Sequence, residues 1–494
     1  MWIVTLRVRS LVLWGMTRRQ MRRSPTEAPL PFEFDPQGTE EKITALGGIP
    51  LVVQAFRSLG VPESVRRRVQ VKERQRGYDE ATFVESFVIL NAAGGECLDD
   101  FEPLREDEAL AEMIGHELPS TAAARKFLYA FHSDEEIAAA QAQLRLDQKA
   151  YIPEETEALH GLGGVNRDLV QELGRRCPDQ RIATVDLDAT IIESRKREAL
   201  PVYEGGRGYQ PTLAMWAEMN VVLADEFRDG NVPANMEPLR VAKEAFAALP
   251  SSVTEFYFRA DSACHEAALM EWLQDQEREP GPRGRIGFAI SARMSEQLKA
   301  AVLKVAEGVW QPCGRETDGE IRECAEVDFV PGARSERKDI QPLRYVAIRI
   351  RKRQGELFGD GSNVKHFAVV SNLWDWRADK LIDWHREKAG TIEIVNDVLK
   401  NELAGGVLPC GRFGANAAWF RLAVISHNVL TALKRLAMKP EMLTARPKRL
   451  RFLFFNTPGK LVHHARKLVL RLRAAAMRLV DWTEILRLLP LPAR

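Results

Sequence analysis

Residues 181–194 read RIATVDLDATIIES, and this stretch decides the fold. Its β-branched residues predict a strand. Asp186 and Asp188 stand two apart on it, so their side chains share one face. An unpartnered carboxylate aimed into a sheet core is costly. Two like charges about 6–7 Å apart repel by roughly 2–3 kcal/mol at an effective dielectric of about 20. Either one acid lies at the strand end or a cation holds the pair, and carboxylate oxygens suit a hard divalent ion. Alone this is weak evidence, because D-x-D pairs also occur at solvated strand ends.

On the C-terminal side, PTLAMWAEMNVVLADEF (211–227) is apolar enough for one or two buried strands. MEPLRVAKEAFAALP (236–250) predicts a helix ended by Pro250, TEFYFRADSA (254–263) a strand, HEAALMEWLQDQ (265–276) a helix and RIGFAIS (285–291) a strand. Strands followed by β-α-β-α-β describe a mixed α/β sheet. Asp261 ends one of these strands, where ligands bind in α/β sheets. Residues 292–371 read as a β-rich insertion. In RYVAIRIRKRQ (344–354), Val346, Ile348 and Ile350 point one way and Arg349 and Arg351 the other, giving a basic face. Asp360-Gly361 is a hairpin-type turn.

TIEIVNDVLKNELAGG (391–406) predicts a helix closed by two glycines. Glu393 lies in its first turn, and Lys400 two turns further along the same face. AAWFRLAVISHNVLTALKRLAM (417–438) predicts a buried helix. Residues 446–489, including LVHHARKLVLRLRAAAMRLVDWTEILRLL, predict a basic amphipathic helical tail.

On the N-terminal side, residues 38–150 predict helices, among them 45–60, 80–95 and 118–131, with Ser120 or Thr121 placed as an N-cap. Arg66, Arg67, Arg68, Lys72, Arg74 and Arg76 fit a small DNA-binding bundle or a simple packing domain equally. Residues 1–24 fit a basic arm or an upstream extension of the reading frame, with Met21 a plausible start.

The chain has 494 residues and a net charge of +1. That total hides an uneven distribution. Residues 1–24 hold six arginines and no acid, and residues 434–494 carry +12, which leaves −17 for 25–433. Basic ends point to a polyanion partner. The six cysteines are scattered without a C-x-x-C pair, which fits a reducing cytoplasm and not a thiolate zinc site. No apolar run reaches 18 residues, which excludes a membrane-spanning helix. No G-K-[ST] follows Gly205, Gly206 and Gly208, so they form no phosphate loop, and no G-x-S-x-G or Cys/His nucleophile set appears.

An Asp on a first strand, an Asp ending a later strand and a Glu on a helix resembles the order of D-D-E transposases with a ribonuclease-H-like core. The details are similar to the insertion sequence 1380 family, within the broader insertion sequence 4 group. The matching stretches are TALGGIPLVVQAF, GGECLDDFEPLRED (94–107), LPSTAAARKFL, VDLDAT, YEGGRGYQP (203–211), RADSACHEAALMEWL, the EKAGTIE…K segment and PCGRFGANAAWFRLAVISHNVL (409–430). They run in the expected order from about residue 40 to about residue 475.

The resemblance implies that Asp188, Asp261 and Glu393 are the catalytic acids, with Asp186 the runner-up for the first. It implies two Mg²⁺ ions, replaceable by Mn²⁺, held by these acids and Asp186. In the family pattern Y-x-x-R-x-x-x-E-x(6)-K, Lys400 matches the Lys and is expected on a DNA phosphate. Arg386 and Ala389 depart from the Tyr and first Arg, and Lys388 is the candidate replacement cation. Arg349 and Arg351 are expected to extend the DNA contact. Trp374, Trp376 and Trp384 precede Glu393 and are either core residues or a stacking platform for an unpaired base.

The expected architecture is therefore multi-domain α/β. It comprises a basic extension and linker (1–37), a helical DNA-binding domain (38–160), a ribonuclease-H-like core in two parts (161–291 and 372–438) around the β-rich insertion (292–371), and a helical basic tail (439–494). The expected function is transposition of an insertion sequence. It requires binding to terminal inverted repeats, metal-dependent strand cleavage and transfer into target DNA, by a homodimer or larger synaptic complex in a bacterial cytoplasm, associated with the nucleoid. The alternatives are a nuclease of the same fold without joining activity and an inactive DNA-binding derivative.

Overall fold

After a two-residue strand at Ile43–Thr44, the regular elements are helices up to residue 176, and strands take over at residue 182. The computed structural model describes residues 32–72, 77–145, 148–314, 320–331, 342–352, 358–359, 361–478 and 480–491. The arginines of residues 1–24, Arg74, Arg76 and Asp360 lie outside the described residues. Met1–Glu41 and Lys42–Arg494 are separate units. In the first, the Phe32 and Phe34 rings meet edge-on at 5.4 Å.

In the second unit a two-residue strand β1 (Ile43–Thr44) leads into α1 (Ile49–Ser58), α2 (Val61–Arg68), α3 (Glu80–Ala93), α4 (Phe101–Arg105), α5 (Glu108–Ile114), α6 (Thr121–Tyr129), α7 (Asp134–Ala142) and α8 (Glu157–Arg176). Local chemistry sets several of these ends. Ser120 caps α6 by accepting a hydrogen bond from the Ala123 N–H, and Gly94, at φ +101°, closes α3. Helix α8 was not legible, because its GLGG run (161–164) reads as a helix breaker. Those glycines instead let α8 close on α2: a Cβ on Gly161 would lie 2.1 Å from the Arg68 carbonyl oxygen.

The strands follow as β2 (Ile182–Ala189), β3 (Ile192–Glu193), β4 (Leu200–Pro201), β5 (Arg207–Tyr209), β6 (Thr212–Trp216), β7 (Val221–Glu226), β8 (Glu255–Ala260), β9 (Ile286–Ser291), β10 (Gln311–Pro312), β11 (Glu320–Val327), β12 (Arg344–Lys352) and β13 (Val364–Ser371). Helices α9 (Pro238–Ala248), α10 (Ala267–Gln274) and α11 (Glu296–Leu303) lie between them. Strands β3, β5 and β4 form a small separate sheet directly after β2. Nine of the others make one sheet in the order β10-β11-β12-β13-β9-β8-β2-β6-β7. At its centre β2 runs parallel to β8, and β8 parallel to β9, while β6 and β7 are antiparallel. The strands of 292–371 do not form a sheet of their own. They continue the central one, because β13 pairs with β9.

Helices α12 (Ala378–Arg386), α13 (Ile392–Glu402) and α14 (Phe413–Ala437) complete the layers. Helix α14 is buried from Gly414 to Lys434 and mostly apolar, with Asn416, Arg421, His427 and Asn428 among its buried polar side chains. It lies between β7 and the helical layer, touching α1, α3, α6 and α8. Its one deeply buried arginine, Arg421, is met by Asp225 at 3.1 Å and Glu155 at 2.7 Å. On the other side of the sheet, Val346, Val369, Leu381 and Ile382 form a second apolar cluster, edged by Tyr257, Trp376 and Trp384.

The tail departs from the helical expectation. After α15 (Pro447–Leu450) it forms a hairpin of β14 (Gly459–His464) and β15 (Lys467–Leu472), and β14 pairs with β1. Short helices α16 (Ala474–Met477) and α17 (Trp482–Leu488) follow. KLVLRL satisfies a two-residue period as well as a helical one, and β14, with which it pairs, is itself held by β1 at the other end of the unit. The turn is also unmarked in sequence: Ala465 and Arg466 adopt φ +48° and +63°, where glycine or asparagine is usual.

Candidate active site at the ends of two parallel strands

The sequences D-L-D on β2 and R-A-D at the end of β8 have equal spacing, and the two strands are parallel. Their register pairs Asp186 with Arg259 and Leu187 with Ala260. One step further, Asp188 and Asp261 stand side by side at the carboxyl ends of neighbouring strands. The inner pair is a salt bridge and the outer pair is two acids.

Asp186 is fully buried. Arg259 Nε lies 2.7 Å from its Oδ1 and Arg259 Nη2 lies 2.9 Å from its Oδ2, and the Thr391 hydroxyl also donates to it. Arg259 in turn donates to the Trp384 carbonyl at 2.7 Å and stacks on the Trp384 ring. Asp186 is thus spent on holding Arg259, in contrast to its expected place beside Asp188 as a metal ligand.

Asp188 has different neighbours. Lys388 Nζ lies 3.1 Å from its Oδ1, and Asn396 Nδ2 donates to its Oδ2 at 3.4 Å. Burial pushes its carboxyl up; the Lys388 ammonium opposes that shift, while the charges of Asp261 and Glu393 add to it. Asp261 caps the turn after β8 by accepting from the Ala263 N–H at 3.0 Å. Glu393 is exposed in the first turn of α13, one turn before Asn396. Helix α13 packs on β2, so the three sequence-predicted acids converge on one end of the sheet.

Their donor chemistry fits a hard cation. The charges of Asp261 and Glu393 act on Asp188, and the Asn396 Oδ1, on the residue that binds Asp188, is buried without a hydrogen-bond partner. They do not form a ready-made shell: among the described residues no three His, Cys, Asp or Glu side chains are grouped closely enough to hold a metal ion. The positive charge at Asp188 comes from Lys388.

The expected cationic residues are placed variously. Lys400 Nζ donates to the Ile191 carbonyl at 3.3 Å, tying α13 to the chain leaving β2. Arg349 is buried and bound to Glu307 at 2.6 Å and Glu323 at 2.9 Å, and Arg351 shares both acids. The expected basic face of β12 is therefore largely neutralised. Arg67 and Arg68 are likewise paired with Asp168, and Arg66 with Asp79. Trp376 and Trp384 pack on Tyr257. Trp374 is exposed, next to Asn372, which binds the start of β9 and so marks the sheet end away from Asp261.

Four residues around the acids escaped sequence reasoning: Arg259, Thr391, Asn396 and His385. His385 Nε2 donates to the Ala260 carbonyl at 3.1 Å, next to Asp261, and burial pushes its pKa down to about 4, so it is neutral. The equal D-x-D and R-x-D spacing was the available signal for Arg259. The other three depend on how α12 and α13 dock.

The model of the family described as transposase DDE domain group 1 matches residues 33–490, and the chain belongs to that family. Among solved structures, the chain is similar to piggyBac transposase, seen by cryo-EM in a synaptic complex with hairpin DNA. The identity is 11%, the TM-score 0.44, and the match covers 84% of this chain and 82% of that one. No curated protein matches the chain. Among the described residues, no helix is long and apolar enough to cross a membrane.

Proposed function

We propose that the chain binds the terminal inverted repeats of an insertion sequence, cleaves the DNA strands there and joins them to target DNA. The observation that carries this reading is the convergence of Asp188, Asp261 and Glu393 at one end of the sheet. The order β7-β6-β2-β8-β9, three antiparallel strands followed by two parallel ones, supports a ribonuclease-H-like core. Asp188, Asp261 and Glu393 would hold two Mg²⁺ ions, or Mn²⁺, which when bound activate a water or 3′-hydroxyl and stabilise the leaving oxygen.

The protein's own groups have separate tasks in this reading. Asp186 and Arg259 lock β2 to β8, which keeps Asp188 and Asp261 adjacent. Asn396 sets the distance of α13, and hence of Glu393, from Asp188. Lys400, bound to the Ile191 carbonyl, and Lys388, buried against Asp188, would reach a DNA phosphate by leaving those partners. Arg349 and Arg351 have a weaker claim, because a phosphate would have to displace Glu307 and Glu323. A synaptic dimer or larger assembly would bring two DNA ends together.

The test is strand cleavage of the element's ends by Asp188→Asn, Asp261→Asn and Glu393→Gln. Each is expected to lose cleavage and joining and to keep end binding in a mobility-shift assay. Full cleavage by the Asp261 variant would sink the acid-site assignment. Cleavage by the unaltered protein without joining of pre-cut ends would reduce the function to that of a nuclease.

A further inference from the structure

Lys388 stands on the short turn Glu387–Gly390 that joins α12 to α13. Three residues of this joint reach the end of the sheet. Glu387 Oε2 lies 3.3 Å from Arg259 Nη1, Thr391 donates to Asp186, and Lys388 Nζ lies 3.1 Å from Asp188 Oδ1. Lys388 is buried, and an ammonium out of water is costly unless a carboxylate neutralises it. Asp188 has the matching need, since the charges of Asp261 and Glu393 act on it.

The two acids of β2 are held in contrasting ways. Arg259 grips both oxygens of Asp186 with a planar fork, a fixed tie. Lys388 meets Asp188 as a point charge on a flexible stem, with its Nζ 3.1 Å from Oδ1. Oδ2 accepts a 3.4 Å bond from Asn396, whose own oxygen is unpartnered.

We propose that Lys388 is a placeholder cation: its ammonium neutralises Asp188 in the resting protein and must leave that carboxylate before a divalent cation can take it. This rests on the reading of Asp188, Asp261 and Glu393 as the acid site. It adds that the site is closed by an internal charge and that cation loading is a competition.

The test is Mn²⁺ binding by the full chain, followed by electron paramagnetic resonance of free Mn²⁺, with no DNA present. Lys388→Met and Lys388→Gln are expected to bind Mn²⁺ at least about tenfold more tightly than the unaltered protein, and Lys388→Arg no more tightly. The glutamine variant keeps a hydrogen-bond donor for Asp188, which guards against misfolding of the methionine variant. Asp188→Asn is expected to abolish the binding. If Asp188→Asn abolishes binding while both neutral variants bind no more tightly than the unaltered protein, the placeholder is overturned and the acid site stands. If Asp188→Asn leaves Mn²⁺ binding intact, the acid site itself falls.

Discussion

Arg259 on β8 holds both carboxylate oxygens of Asp186 on β2, at 2.7 and 2.9 Å, in a site closed to solvent. Breaking a buried pair by removing one partner costs about 3–5 kcal/mol, because the other charge is left uncompensated. Arg259→Met is therefore expected to lower unfolding stability by that amount in urea titrations. The double variant Arg259→Met with Asp186→Leu should recover much of the loss. Additive losses would show that the two residues are not coupled.

Asp229 supplies a pH prediction. Burial alone pushes its carboxyl up from 3.8 to about 6. The folded state favours the protonated form, so this group's contribution to stability is complete below about pH 4 and is lost as the pH rises through about 6. Asp229→Asn is expected to be roughly 2–3 kcal/mol more stable than the unaltered protein at about pH 7.5, with the gap closing toward about pH 4. Parallel stability-against-pH curves for the two proteins would contradict this.

Gly161 permits the approach of α8 to the end of α2. A Cβ there would meet backbone, the Arg68 carbonyl, at 2.1 Å, and backbone cannot swing aside. Gly161→Ala should gain helix propensity yet lose about 1–3 kcal/mol net through overpacking. A raised melting temperature would show that the two helices are free to separate.

The tail hairpin turns through two residues of positive φ, Ala465 and Arg466. Asn-Gly suits that geometry. The double change Ala465→Asn with Arg466→Gly is expected to stabilise the hairpin by roughly 1–2 kcal/mol. Slower amide exchange across Gly459–Leu472 would register it. Faster exchange would mean that the turn is not what limits the hairpin.

Much of the core was legible because its elements carry their own periodicity. RIATVDLDA is β-branched, TIEIVNDVLKNE repeats at helical spacing, and the segment from Phe413 is strongly apolar. Elements whose identity depends on distant partners were not legible. Helix α8 is stabilised by packing of its glycines on α2, and KLVLRL becomes a strand by pairing with β14, which is itself held by β1.

The site divides along the same line. Sequence by itself determined the order of the acids, Asp188, Asp261 and Glu393, and the elements that bear them, since strand ends and first helical turns are local features. It also placed Asp186 and Asp188 on one face. Only the tertiary structure decided what each acid does with its charge. The parallel register set Arg259 against Asp186, and the docking of the α12–α13 joint set Lys388 against Asp188. Charges interact through space, and the distances that govern them arise when segments far apart in the chain are packed together.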